Sequence, residues 1–415
     1  MSSPSRSLPV TTVTVGQPYV YGDNSGDNWI AALGADGTLY LPANDSGGFR
    51  LWERVAEALD LTAEEAEKLK GVHDAVYDPD EMVKRHLAEA EARGVAGSTV
   101  VFNTLTGDDP YSLVGTTITT MPEYYALDQQ TIRDAQYFKA NGLLPTEQLG
   151  DGCTWKSSGC TYVDGRLYWA LTRNGYGEMA GDLLSRETQQ NTTIIVSDDG
   201  GQTWSPKAEE ALAHPTFPGT SFAAPYFIDY GESDERPHGA ERYVYAMSNN
   251  GFWDNGDFLV LGRVSREKLA RLNGADWEFL VGEDGADDAN WGPDPSTARR
   301  VLERCGRLGR SGINYLADRG RYLTIRWHYP AGSGKVDWPE SVGVTDETVW
   351  DFYESPTPWG PWVQCGAHAF FPAGYYVPAI LPRWQSADRV YVLTAGDFRK
   401  PAEHYKLTVI PIELG

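Results

Sequence analysis

Positive charge is scarce in this sequence: 35 Lys and Arg stand against 58 Asp and Glu, for a formal net charge of -23. The acidic residues are spread along the chain rather than gathered in one tail. Nucleic acid and anionic membrane, which both demand a basic footprint, are therefore excluded as partners. Cysteine is sparse too. Cys153, Cys160, Cys305 and Cys365 are too few for a disulfide framework and lack zinc-type spacing. They read as buried thiols, with a local Cys153–Cys160 bridge as the alternative in an exported protein. No apolar run reaches the length of a membrane helix, and the start, Met1 to Pro9, lacks the apolar stretch of a secretory signal. As written the chain is expected in the cytoplasm, or outside the cell if a leader has been removed. Also missing are a phosphate-binding Gly loop, a His-Glu-x-x-His pair and a Gly-x-Ser-x-Gly elbow. Nucleotide, zinc-protease and serine-hydrolase chemistry lack support, and neither a cofactor nor a metal is expected.

Aromatic residues, glycine and proline are plentiful, with 14 Trp, 23 Tyr, 44 Gly and 25 Pro. That mixture suits many short strands joined by turns, with some rings left over to stack on sugars. The clearest local signal is the run Gly26-Asp27-Asn28-Trp29-Ile30-Ala31-Ala32-Leu33-Gly34, the turn Ala35-Asp36-Gly37, and the run Thr38 to Asp45, which together mark a β-hairpin. Similar units recur at Cys160 to Thr172, Tyr243 to Val264, Ile313 to His328 and Ile380 to Thr394, roughly 70 to 80 residues apart. Five such units predict an all-β fold, a five-bladed β-propeller occupying residues 1–415 as one domain. The β-rich ends, Thr11 to Val15 and Tyr405 to Ile412, are expected to complete one blade between them. Ser197-Asp198-Asp199-Gly200-Gly201-Gln202-Thr203-Trp204 fits the Asp-box pattern, whose Asp and Gly make a turn while its Trp packs beneath, between the strands of one blade. Between residues 51 and 96 the pattern changes. Leu51, Val55, Leu59, Ala63, Ala66 and Leu69 recur at helical spacing, and Pro79 opens a second helix, so a two-helix insertion is expected in the first blade, either as decoration or as a wall beside a pocket.

Asp27 and Asp45 are the candidate catalytic pair. A three-residue loop at Ala35 to Gly37 pairs residue 34 with 38, and the same register carries 27 opposite 45, with both side chains on one face. Two opposed carboxylates repel, so one holds its proton while the other stays ionised, the division of labour that glycosidic cleavage requires. The plainer alternative is two turn aspartates. Lys156, beside Trp155, is a candidate for a substrate hydroxyl or carboxylate, or else a loop lysine. Asn250 and Asp257 crowd with Trp253, Asp254 and Asn255 as polar groups do around sugars, and as turns do. Arg310 and His328 stand at strand ends where a cation and an imidazole can position substrate, a structural His being the alternative. Trp29 offers a ring to a sugar, and Tyr376 is expected at the entry of the last blade.

The segments Gly26-Asp27-Asn28-Trp29, Asp36-Gly37-Thr38-Leu39-Tyr40, Trp155-Lys156-Ser157-Ser158-Gly159, Asn255-Gly256-Asp257, Cys305-Gly306-Arg307 with Gly309-Arg310-Ser311-Gly312, and Pro358-Trp359-Gly360-Pro361-Trp362 follow in a telling order. In that order the chain resembles bacterial five-bladed propeller glycoside hydrolases, a former domain-of-unknown-function family that includes endo-D-arabinanases. The likeness covers most of the chain outside 51–96. It implies a hydrolase of furanosidic, arabinan-like or related linkages in an oligo- or polysaccharide, with the first blade's Asp27 and Asp45 as catalytic pair. Direct cross-strand opposition of that pair would set the carboxyls near the roughly 5 Å spacing of retaining enzymes, so retention is the stereochemical expectation. Two other readings stand beside it. One is a propeller lyase acting on uronates with His328 or Tyr376 as base and Lys156 or Arg310 neutralising the carboxylate. The other is a sugar-binding propeller without catalysis.

Overall fold

A computed structural model describes residues 7–75, 81–128, 153–175, 187–283, 289–330, 347–371, 373–397, 400, 403 and 405–415. Alternation along each strand sends successive side chains to opposite faces, and here both faces are buried. Leu167, Trp169 and Leu171 enter one apolar cluster with Val100 and Phe102, while Tyr168 and Ala170, between them in sequence, enter the next with Phe227, Val244 and Val260. The same sorting repeats around the molecule. Tyr226 and Ile228 meet Ile313 and Tyr315, Trp327 and Phe352 meet Val390 and Ile410, and Leu393 and Val409 meet Trp29 and Leu41. Five clusters, each shared by two neighbouring sheets, close a ring: the chain folds as a five-bladed β-propeller.

The blades follow the chain. Strands Asn24–Asp27, Leu39–Phe49, Ser98–Thr106 and Val114–Thr119 make the first; Cys153–Val163, Arg166–Gly175 and Thr188–Ser197 the second. Tyr226–Asp229 opens the third, Ile313–Leu316 the fourth and Ala379–Ile380 the fifth, each followed by its antiparallel partners. The first strands of blades 3 and 4 also pair in parallel, Ile228 with Ile313. Both ends of the chain supply the last blade, where Val13 faces Leu414 and Val15 faces Ile412. Glycine permits a close approach between blades at Gly159. Its N–H donates to Pro225 O at 2.8 Å, and a Cβ there would lie 2.8 Å from the backbone of Tyr226.

The segment after the first blade's second strand carries three helices, α1 (Leu51–Leu59), α2 (Ala63–Ala75) and α3 (Glu81–Ala92), rather than two. Asp60, in the left-handed conformation, ends α1, and Thr62 with Glu65 forms a capping box that starts α2. Leu51, Trp52, Val55, Leu69, Val83 and Ala90 give the helices a core of their own. Arg54 ties them to the propeller through the carbonyls of Gly47 and Phe49. In the second blade, Asp199 accepts from Thr203 N at 2.9 Å and Thr203 Oγ1 at 2.6 Å, and Trp204 Nε1 donates to Gly201 O at 3.0 Å. Trp204 packs on Trp169 of its own blade and on Phe102 of the first, so it seals a joint between blades rather than the strands of one. A Cys153–Cys160 bridge is ruled out by geometry. Both lie on one extended strand, about 23 Å apart at strand rise, far beyond disulfide reach, and both thiols are buried.

Candidate functional site

The first hairpin departs from its expected register. Leu33 pairs with Leu39 and Ala32 with Tyr40, as the three-residue turn demands, yet Asp27 faces Asn44 rather than Asp45. One irregularity causes this, and a second re-aims Asp45. Asn28 takes a left-handed φ of 52° and absorbs one extra residue on the inner strand. On the longer strand, three residues lie between Asn44 and Gly48 where one lies between Ser25 and Asp27, so residues 45 to 47 bulge, and Asp45 has a φ of 42°. Positive φ in a non-glycine residue is costly, and a bulge re-aims its side chain. The result still brings the two carboxylates into electrostatic contact, by bulging rather than by opposition.

Asp27 is 4% exposed, whereas the Asp45 side chain is 41% exposed and forms an ion pair with Lys156, itself buried. Burial, and then the charge of Asp45, raise the Asp27 carboxyl to about 7; Lys156, a hydrogen bond from Tyr376 and the charge of Arg310 act in the opposite direction. Tyr376 donates its hydroxyl to Asp27 Oδ2 at 2.6 Å. Its own pKa is driven well above the ordinary tyrosine value, chiefly by burial and then by Asp27, so it remains a donor. Arg310 Nη1 donates to Ser157 O at 3.0 Å and, with the Gln189 amide turned so that its oxygen faces the guanidinium, to that oxygen at 2.5 Å. Ser157 N in turn donates to Asn44 Oδ1 at 2.7 Å, tying the first blade to the second. Trp253, half-buried, leans on Trp327 and Tyr376 at 4.8 and 5.2 Å between ring centroids. Asn255 clamps Tyr329 through its backbone, Tyr329 N donating to Oδ1 at 2.9 Å.

Buried polar atoms with no hydrogen-bond partner among the described residues include Asp27 Oδ1, Asn28 Oδ1, Asn44 Nδ2, Ser158 Oγ and Arg310 Nη2. Buried polar groups are almost always satisfied, so donors and acceptors gathered beside a protonated carboxyl fit a polyhydroxylated ligand.

The structure therefore gathers Asp27, Asp45, Lys156, Arg310 and Tyr376, and it separates four other candidates from them. Trp29 is fully buried against Phe49 in the joint between blades 1 and 5, and it has no face to offer a sugar. Asn250 and Asp257 serve a turn. Asn250 Nδ2 donates to Asp257 Oδ2, Asp257 N to Asn250 Oδ1, and Gly306 N to Asp257 Oδ1, each at 2.9 Å. His328 is buried on the second strand of blade 4, with Nδ1 3.6 Å from an Asp351 carboxylate already held by Arg307. Burial and Arg307 lower its pKa to about 4, so it is neutral and structural. Asn44, Gln189 and Tyr226 were not singled out from the sequence. An Asn and a Gln within strands and one Tyr among 23 carry no local signal.

No protein-family model matches the sequence, and no curated protein does. Among solved structures, a candidate hydrolase from Bacteroides ovatus superposes with a TM-score of 0.50 at 11% identity, over 95% of this chain and 87% of its own. The catalytic domain of a Coprinopsis cinerea GH62 α-L-arabinofuranosidase gives 0.43 at 9% identity over 98% of both chains. A GH43_1 enzyme from Xanthomonas citri, complexed with xylotriose, gives 0.42 at 10% identity over 96% of this chain and 89% of its own. At such identities the likeness is one of fold alone, and the last two lie too far off to carry any argument.

Proposed function

We propose that this protein is a glycoside hydrolase that cleaves a furanosidic, arabinan-like or related glycosidic linkage, with Asp27 as general acid/base and Asp45 as nucleophile. The observation that carries this reading is the contrast within the pair: a buried Asp27 raised to about 7, next to an exposed Asp45 held by Lys156. A carboxyl that keeps its proton near neutral pH can protonate a leaving oxygen, while an ionised neighbour attacks the anomeric carbon.

Retention is part of the proposal. The charge of Asp45 helps to keep Asp27 protonated. Once Asp45 is esterified by the sugar that charge is gone, the pKa of Asp27 falls, and Asp27 is set to accept a proton from the hydrolytic water. The lyase reading loses its base, since His328 sits with Asp351 and Arg307 and the Tyr376 phenol is harder, not easier, to ionise.

The test is a screen of purified protein against aryl furanosides, aryl pyranosides and arabinan fragments, with the first-formed anomer followed by NMR. Turnover of a furanoside with the starting anomeric configuration supports the proposal. An inverted first product overturns the nucleophile role of Asp45, unsaturated products absorbing in the ultraviolet restore the lyase, and binding without turnover favours a sugar-binding propeller.

A further inference from the structure

The site's buried cations continue inward. Arg326, on the second strand of blade 4, is 2% exposed, and its Nε and Nη2 have no hydrogen-bond partner among the described residues. Its cross-strand neighbour is Asp351, but that carboxylate is turned to Arg307 at 3.1 Å and to Gln364 Nε2 at 2.8 Å. Tyr226, at the start of blade 3's first strand, is 1% exposed and its hydroxyl is likewise without a partner. Ile228 pairs with Ile313 and Ile313 with Thr324; Tyr226 and Arg326 each lie two residues toward Ser311 from those pairs, on the two strands that flank blade 4's first strand. Arg310 has Asp27 and Glu187 as opposing charges, whereas the groups that act on Arg326 besides burial are two phenols, Tyr226 and Tyr353. Burial lowers the Arg326 pKa only to about 10, which leaves it charged at neutral pH.

A buried guanidinium without a counter-charge is costly, and an interior normally meets that cost with an anion or by neutralising the group. We propose that the joint between blades 3 and 4 binds a small monovalent anion of halide size, held by Arg326 Nε and Nη2 and the Tyr226 hydroxyl. Every one of these groups is a donor, and each lies on a side chain at most 2% exposed. A bulky carboxylate does not reach so enclosed a place. A halide needs only N–H and O–H groups, and Arg326 and Tyr226 offer unpartnered ones of both kinds. This inference does not depend on the glycosidase reading, because its test measures binding and not turnover.

The experiment compares melting temperatures in sodium chloride and sodium gluconate at equal ionic strength, for the full chain and for Arg326→Gln, together with anomalous diffraction from bromide-soaked wild-type crystals. A rise of about 3 °C is expected at chloride a hundredfold above its Kd, absent in Arg326→Gln, with a bromide peak at hydrogen-bond distance from Arg326 Nε or Nη2. Should Arg326→Gln fail to fold, the wild-type bromide peak decides alone. Water at that position in the soaked crystals, with equal melting in the two salts, overturns the proposal.

Discussion

Replacing Asp27 by Asn separates the electrostatics of the site from its shape. The amide fills the same space, and its oxygen can still accept from Tyr376, which donates to Asp27 Oδ2 at 2.6 Å. What disappears is a titration. The wild-type carboxyl moves from an ordinary 3.8 in the unfolded chain to about 7 in the folded one. Between those values the folded protein keeps a proton that the unfolded chain has released, so stability falls as pH rises through that window and levels off above it. The charged form is penalised by up to roughly 4 kcal/mol, at about 1.4 kcal/mol per tenfold change in proton affinity. For a chain of this length that equals a melting shift of about 5 °C at most. Asp27→Asn should thus match the wild type near pH 4 and become progressively more stable than it up to pH 7, with a constant gap beyond. Calorimetry of both proteins from pH 4.5 to 8 measures this. A gap that does not change with pH, or one that shrinks as pH rises, would refute a buried, proton-holding Asp27.

Three further expectations follow from named contacts. Tyr376→Phe removes a hydrogen bond that favours ionised Asp27, so the alkaline limb of the kcat/KM profile should move to higher pH; a limb that stays or falls contradicts the assignment. Trp204→Ala should cost roughly 3 to 5 kcal/mol in chemical denaturation by opening the joint with Phe102 and Trp169, while turnover per folded molecule stays near wild type. Replacing residues 51–96 with a short Gly linker removes a segment that has its own core but touches Gly47 and Phe49, close to Asp45. It should change the ratio of rates on long and short substrates more than it changes stability, and an unchanged ratio would reduce the helices to decoration.

The blades were legible in the sequence because their cause is local. Asp36-Gly37 and Asp164-Gly165 supply the left-handed geometry that tight hairpins need, and φ is indeed positive at Gly37, Asp164 and Gly165. Ring closure was legible from apolar runs at both ends. The register of the first hairpin was not, because its bulges rest on left-handed Asn28 and Asp45, residues that adopt that conformation only when the surrounding ladder imposes it. One bulge also misled the reading of Trp29: once alternation is broken at Asn28, the following ring turns into the joint between blades. Asp27, Lys156, Arg310 and Tyr376 come from blades 1, 2, 4 and 5, so no spacing in the chain reveals that they meet. Asn250 and Asp257 drew notice for a composition that turns and sugar sites share, and the turn claimed them.

The most direct test of the catalytic assignment is the turnover of Asp27→Asn and Asp45→Asn beside the wild type, on whichever furanoside the screen finds best. Both variants should fold as the wild type does by circular dichroism. Each should lose about three orders of magnitude or more in kcat, since each removes a group that acts in the transition state. Near-wild-type turnover in either variant would contradict the pair.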